Sequence, residues 1–242
     1  MKYIPKKDKF YHSLCYYYKA LVYRNLEKYV ESNKQLDKAF KLNQNADFLQ
    51  EKGQNYIYLA KYDMAKKMFN AANEIEQTSG NYIGLAVTYI NLGQYDEAIE
   101  AAQQAISYED SGLPWALAQL ARAYLEKGDI ESAIEPAIDS YMLDQIDWVE
   151  DMFDVFKEAA PELFVARLKI ALVEYPNKED VIKDFLMRVY YWNLDDYQLR
   201  PLKIIGYIDG ILNKARLSGI GTFQFNNLAP GPYYLKKMSD FM

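Results

Sequence analysis

The chain has 242 residues, of which 50% are apolar and 26% are charged. That length and composition allow a buried hydrophobic core and exclude disorder over most of the chain. Every long apolar stretch is interrupted by a charge, Asn or Gln well before the roughly 18 residues that a membrane-spanning helix needs, so we expect no membrane span.

The net charge of -6 is unevenly distributed along the chain. Residues 1–44 carry ten Lys/Arg against four Asp/Glu, residues 45–160 carry seven against 21, and residues 161–242 carry 11 against nine. A largely acidic body repels phosphate backbones, so we expect no nucleic-acid partner. The basic first segment is the only place where such binding could begin.

The first 20 residues contain lysines of the kind that open a signal peptide, but the apolar run of about 7 to 15 residues that should follow them is missing. We therefore expect a cytoplasmic protein, and the single cysteine agrees with this expectation. That residue, Cys15, is predicted to be a small buried apolar side chain.

One motif recurs along residues 13–147. The sequence Leu-Gly-Gln-Tyr-Asp-Glu-Ala-Ile at 92–99 returns in altered form at 59–65 and 126–134, and faintly at 26–32. Its anchor positions are 33, 33 and 35 residues apart, and they are Tyr29, Tyr62, Tyr95 and Ile130. A period near 34 residues predicts repeated pairs of helices, each joined by a turn.

Each repeat carries a small residue inside both of its predicted helices. These residues are Ala20, Gly53, Ala86 and Ala121 in the first helices, and Ala65, Ala98 and Ala133 in the second helices of the later repeats. Small side chains allow two helix backbones to approach to about 8–10 Å, and the neighbouring tyrosines fill the wider gaps. We therefore expect about half of the tyrosines to serve packing.

This pattern of bulky, small and aromatic positions resembles the tetratricopeptide repeat (TPR) family, although the closing proline of the family pattern is absent from all four units. The resemblance implies an all-α fold, a right-handed α-solenoid of antiparallel helix pairs. It also implies a scaffold that binds other proteins.

The motif decays after residue 147, but the helical period continues. We predict four further helices in this region, at Trp148–Ala159, from Pro161 onward, at Glu179–Trp192 and at Tyr197–Lys214, the last of them as a cap. The predicted organisation is residues 1–147 as TPR-like repeats, 148–216 as degenerate helix pairs with the capping helix, and 217–242 as a non-helical tail. The tail either folds back on the solenoid or docks on a partner.

Few side chains are available for catalysis. His12 and Cys15 are the only residues of their types and lie three apart on one helical face, which permits a dyad, but no third group that would orient it is evident. A His/Cys metal cluster is impossible, and no glycine precedes the Lys-Ser/Thr pair of a phosphate loop. We expect no catalytic residue, metal site or cofactor, and no enzyme activity.

In the family, the first helices of the pairs line a concave groove that takes an extended peptide or a partner helix. We call the matching positions the groove residues: Tyr17, Leu21, Arg24, Gln50, Gln54, Ile57, Ile83, Val87, Asn91, Ala118, Arg122 and Leu125. They are mostly apolar with some amides. They lack the Lys and Asn with which one branch of the family grips C-terminal carboxylates, so we expect no carboxylate clamp.

These observations predict an adaptor or scaffold that holds a peptide or a helix of another protein in this groove. The alternative is a self-assembling or secretion-chaperone-like protein that uses the tail or the basic N-terminal segment, so the chain itself is a second candidate partner.

Overall fold

The computed structural model describes residues 6–192, which form eleven α-helices and one short 3-10 helix, Pro176–Lys178. The α-helices are α1 (Lys6–Asn25), α2 (Tyr29–Leu42), α3 (Ala46–Tyr58), α4 (Tyr62–Ile75), α5 (Ser79–Asn91), α6 (Tyr95–Ile106), α7 (Leu113–Lys127), α8 (Ile130–Leu143), α9 (Asp147–Ala159), α10 (Pro161–Glu174) and α11 (Glu179–Trp192). The chain divides into two compact units, residues 1–168 and 169–242. The predicted helix Tyr197–Lys214 and the predicted tail 217–242 lie outside the described residues.

The first eight helices pack as four successive pairs, α1 with α2 through α7 with α8. Each second helix also packs on the first helix of the following pair, and α5 contacts both α3 and α7. The predicted fold class, an all-α solenoid of antiparallel helix pairs, is therefore confirmed.

The turn inside each pair has the same backbone conformation. One residue per turn has a positive φ, of 58°, 53°, 71° and 88° in chain order, and these residues are Glu27, Ala60, Gly93 and Gly128. The next backbone N–H then donates to a carbonyl five residues earlier, as from Gln94 to Tyr89 at 2.9 Å, which caps the end of the first helix. The recurrence of this turn shows that the four pairs are in phase.

The small residues lie where helices approach most closely, as predicted. All seven have buried side chains or, for Gly53, a buried backbone. The clearest example is the ring of Phe69 on α4, which is 1% exposed and lies between Gly53 of α3 and Gly84 of α5. A Cβ at Gly53 would lie 2.8 Å from Cζ of this ring, and a Cβ at Gly84 would overlap it.

A buried polar cluster joins the first two pairs. The Nδ2 of Asn55 on α3 donates to Oγ of Ser32 at 2.9 Å and to Oδ1 of Asn33 at 2.8 Å, both on α2. The Ser32 hydroxyl in turn donates to the carbonyl of Ala20 on α1 at 2.9 Å. Three helices are thus linked by hydrogen bonds away from water, where such bonds are costly to leave unmade.

The helices predicted after residue 147 are confirmed over the described residues. Helix α10 begins at Pro161, and α11 has the predicted bounds. Within the first unit, Phe153 of α9 packs against Phe164 of α10 with ring centroids 5.2 Å apart, and against Tyr141 of α8 at 5.5 Å. An aromatic cluster therefore continues the core of the repeats.

The prediction that Cys15 is buried is wrong, because its side chain is exposed. Cys15 belongs to α1, and within residues 6–192 no helix pair precedes this one. Its side of α1 consequently lacks the cover that the later first helices receive.

We predict that Gly84→Ala destabilises the fold by about 1–3 kcal/mol, because the new methyl group overlaps the buried Phe69 ring. Gly80→Ala is the matched control on the same helix. Its methyl group meets the end of the flexible Gln50 side chain, which can move, so we expect a neutral or slightly stabilising effect. Urea unfolding compares the two, and equal effects would contradict the close approach at Phe69.

Candidate functional site

The groove residues lie on the four first helices, α1, α3, α5 and α7. Eleven of them are partly or fully exposed. Ala118 is 0% exposed and cannot contact a partner, so its prediction as a groove residue is corrected. A methyl group is too short to reach out of the contact that α7 makes with its neighbours.

Three groove residues pack against the next repeat. The Tyr17 ring lies 5.1 Å from the Phe48 ring on α3. A Cβ at Gly80 would lie 2.8 Å from Nε2 of Gln50, and a Cβ at Gly112 would lie 3.2 Å from Cδ1 of Ile83. Each of these side chains therefore lies against the start of the following first helix, in addition to any contact with a partner.

Two further groove residues are also engaged by the chain itself. Ile57 packs against the hydrophobic cluster formed by α4, α5, α6 and α7, which includes Phe69 and Leu85. Asn91 is exposed, and its Nδ2 donates to the carbonyl of Val87 on its own helix at 2.7 Å. One donor of the Asn91 side chain is therefore already used. Its oxygen accepts no hydrogen bond within residues 6–192.

An ion pair between Arg24 on α1 and Glu51 on α3 joins the first helices of the first two pairs. Burial raises the pKa of Glu51 above its ordinary value, and the neighbouring Arg24 guanidinium acts in the opposite direction. Burial, followed by the carboxylates of Glu51 and Asp47, also raises the pKa of the Tyr17 hydroxyl. Glu51 was not predicted from the sequence; the available signal was an acidic residue on the next first helix, beside a basic groove position.

Four groove residues occupy the same position in successive repeats, and we call them the middle row: Leu21, Gln54, Val87 and Arg122. All four are partly exposed. The side chains of Gln54 and Arg122 make no hydrogen bond or ion pair in the described part of the chain. Leu125, one turn further along α7, is also partly exposed and adds an apolar side chain beside Arg122.

The groups considered for catalysis remain separate. His12 is exposed, and its Nδ1 lies 2.6 Å from the carbonyl oxygen of Asp8. Cys15 is exposed on the same helix, and no bond between the two side chains is found. Residues 6–192 contain no cluster of three or more His, Cys, Asp or Glu that could hold a metal ion. None of the helices described is both long enough and apolar enough to cross a bilayer.

Comparison with known proteins agrees with this architecture. Two sequence models of the tetratricopeptide repeat match residues 46–79 and 89–135. Residues 46–79 and 89–135 are therefore tetratricopeptide repeats. A thermophilic TPR protein of Thermus thermophilus has a similar fold, with a TM-score of 0.54 and 14% identity over 72% of this chain and 96% of that one. TPR repeats are typically non-catalytic scaffolds that bind other proteins.

A curated relative of this TPR chain is BBSome complex member BBS4 of Bos taurus, 31% identical over 130 residues. The match covers 51% of this chain and 24% of that protein. The matched segment therefore spans about a quarter of the length of the bovine relative.

We predict that Arg24→Gln destabilises the fold more at about pH 7 than at about pH 4. A carboxyl group with a raised pKa in the folded state contributes stability below its ordinary pKa and loses that stability as the pH rises through the raised value. Without Arg24 the pKa of Glu51 rises further, so the loss at neutral pH should reach roughly 1–3 kcal/mol.

The control for this prediction is the double variant Arg24→Gln with Glu51→Gln, which removes the partly buried charge and should recover most of the loss at neutral pH. Urea unfolding at the two pH values measures both effects. A loss that does not depend on pH, or that the double variant fails to recover, would show that the ion pair has another role.

Proposed function

We propose that this TPR chain is an adaptor or assembly subunit that binds an extended peptide or a helix of another protein across the groove residues. The observation that supports this most directly is the middle row. It places one partly exposed side chain on each of the four first helices, and the polar side chains of Gln54 and Arg122 are without protein partners over residues 6–192. Side chains arranged in this way are available to a bound segment.

The chemistry of the middle row suggests the character of that segment. Leu21, Val87 and Leu125 favour apolar side chains in the bound segment. The amide of Gln54 can satisfy the backbone N–H or C=O of an extended peptide. Arg122 favours a carboxylate, with which a guanidinium forms paired hydrogen bonds. We therefore propose a largely apolar segment that carries one acidic residue near α7.

The comparisons support a binding role of this kind. Proteins of the TPR family bind other proteins, and the bovine relative is by its name a member of a complex. As part of the same proposal we place the protein in the cytoplasm and assign it no catalytic activity. The predicted alternative is a self-assembling or secretion-chaperone-like protein that uses the tail or the basic N-terminal segment. It stays a prediction, since the tail lies outside the described residues and no observation tests self-assembly through the N-terminal segment.

We predict that Val87→Glu abolishes capture of the partner while leaving the helical content unchanged, because it places a charge at the centre of the middle row. Met64→Glu on α4, where the side chain is 38% exposed, is the control for an added charge elsewhere. Affinity purification from native lysate, with circular dichroism on each variant, makes the comparison. Capture that survives Val87→Glu would exclude the groove residues as the binding site. Ile83 is unsuitable for this test because it also lies against Gly112.

We predict that Arg122→Gln weakens binding of the captured partner segment about three- to tenfold and reduces the salt dependence of its affinity, since one charged contact is lost. Lys127→Gln removes the same charge from the same helix and should leave the affinity unchanged, because Lys127 instead pairs with Asp96 at 2.7 Å. Fluorescence anisotropy of a labelled segment measures both. Equal effects of the two substitutions would indicate a general charge effect and not a contact with Arg122.

A further inference from the structure

Helix α1 carries an exposed stripe that is separate from the groove residues. We call Tyr11, Cys15, Tyr18 and Val22 the outer face of α1. Their spacing of four, three and four residues places them on one side of the helix. The exposed fractions of Tyr11, Tyr18 and Val22 are 55%, 61% and 58%, and Cys15 is exposed as well. Three large side chains therefore present their apolar surface to solvent along three turns.

For Cys15, Tyr18 and Val22, the equivalent positions of the later first helices are almost all buried. The equivalents of Tyr11 precede those helices and are not buried. The positions that match Cys15 are Phe48, Asn81 and Ala116, and those that match Val22 are Asn55, Thr88 and Ala123; each is at most 2% exposed. The positions that match Tyr18 are Glu51, Gly84 and Gln119, of which the last two are buried. The repeat pattern thus assigns these positions to an interface.

The cover at these positions is the second helix of the preceding pair. Asn55 is hydrogen-bonded to Ser32 and Asn33 of α2. Gly84 lies under the ring of Phe69 of α4. No second helix precedes α1 within residues 6–192, so its outer face has the form of such an interface without the covering helix.

The net charge of α1 distinguishes between the three molecules or segments considered as cover for its outer face: another protein, a second copy of this chain, and residues 193–242. Helix α1 has five Lys/Arg and one Asp, and because Arg24 is paired with Glu51, the four lysines and Asp8 leave a net charge of +3. A second copy docked symmetrically would present its own α1 with the same sign, and residues 193–242 carry six Lys/Arg against four Asp/Glu, which is also positive. Like charges oppose both arrangements. By contrast α6, which packs on α7 in the third interface of this kind, carries three acidic residues and no basic one.

We propose that the outer face of α1 docks an acidic amphipathic helix of another protein, in the manner in which α6 covers α7. The apolar stripe of that helix covers Tyr18 and Val22, and its acidic residues complement the net positive charge of α1. This surface shares no residue with the groove, so the proposal stands or fails independently of the proposed function.

The labelling rate of the Cys15 thiol directly measures whether the outer face is covered, because Cys15 is the one cysteine in the sequence and lies in the middle of that face. The full chain is reacted with a maleimide reagent, and the labelling rate is followed by mass spectrometry. The probe is a synthetic helix peptide with the sequence of residues 92–108, which carries a net charge of -3. We expect rapid labelling of the free chain at every protein concentration. Saturating peptide should slow labelling at least about tenfold, and the peptide concentration needed should increase with salt.

Matched controls identify the surface and the charge preference. A peptide with Asp96, Glu97 and Glu100 replaced by Lys should give no protection. Val22→Glu, or Tyr11→Glu as a second variant on the outer face, should remove the protection given by the acidic peptide. Val30→Glu on α2, where the side chain is 48% exposed, should leave it intact, as should Val87→Glu.

Four results would overturn the proposal. Absence of protection at saturating acidic peptide excludes a helix of this chemistry, and equal protection by the charge-reversed peptide excludes the acidic preference. Slow labelling of the free chain that does not depend on its concentration would assign the face to another segment of this chain. Slow labelling that becomes stronger with concentration, together with a dimer in light scattering that Val22→Glu dissociates, would assign it to a second copy.

Discussion

The stack depends on close approach of helix backbones at residues that have little or no side chain. Phe69 shows the constraint most clearly, since its ring fills the space between α3 and α5 only because Gly53 and Gly84 leave that space open. The alanines at the matching positions have the same role in the other pairs. Since each pair positions the next, the spacing of the first helices, and hence of every side chain in the middle row, follows from these contacts.

The sequence alone predicted the features that repeat. The recurrence of Tyr29, Tyr62 and Tyr95 with small residues at fixed distances predicted the helix pairs and their phase, and Pro161 predicted the start of α10. Side chains that link one repeat to the next were not predicted individually. Gln50 and Ile83 were predicted only to face a partner, because the sequence did not reveal that each also contacts a glycine at the start of the following first helix.

The candidate site was predicted less completely for the same reason. Arg24 was identified by its position, but its partner Glu51 lies 27 residues away, and a pairing at that separation depends on how two repeats approach. Cys15 and Ala118 were assigned wrongly for opposite reasons. Within residues 6–192 no helix pair precedes Cys15 to cover it, and an alanine at a surface position can be too short to reach solvent.

The hydrogen-bonded cluster of Asn55, Ser32 and Asn33 gives the first two pairs a specific adjacency. A helix interface made only of alanines and aromatic rings would accept many neighbours, whereas a buried amide is stable only beside groups that match its donors. If the third pair followed the first directly, Thr88 would occupy the position of Asn55. Ser32 and Asn33 would then lose the amide that donates to both of them. The repeats are therefore not interchangeable units, because the hydrogen-bonding groups buried between the first two pairs match only in their present order along the chain.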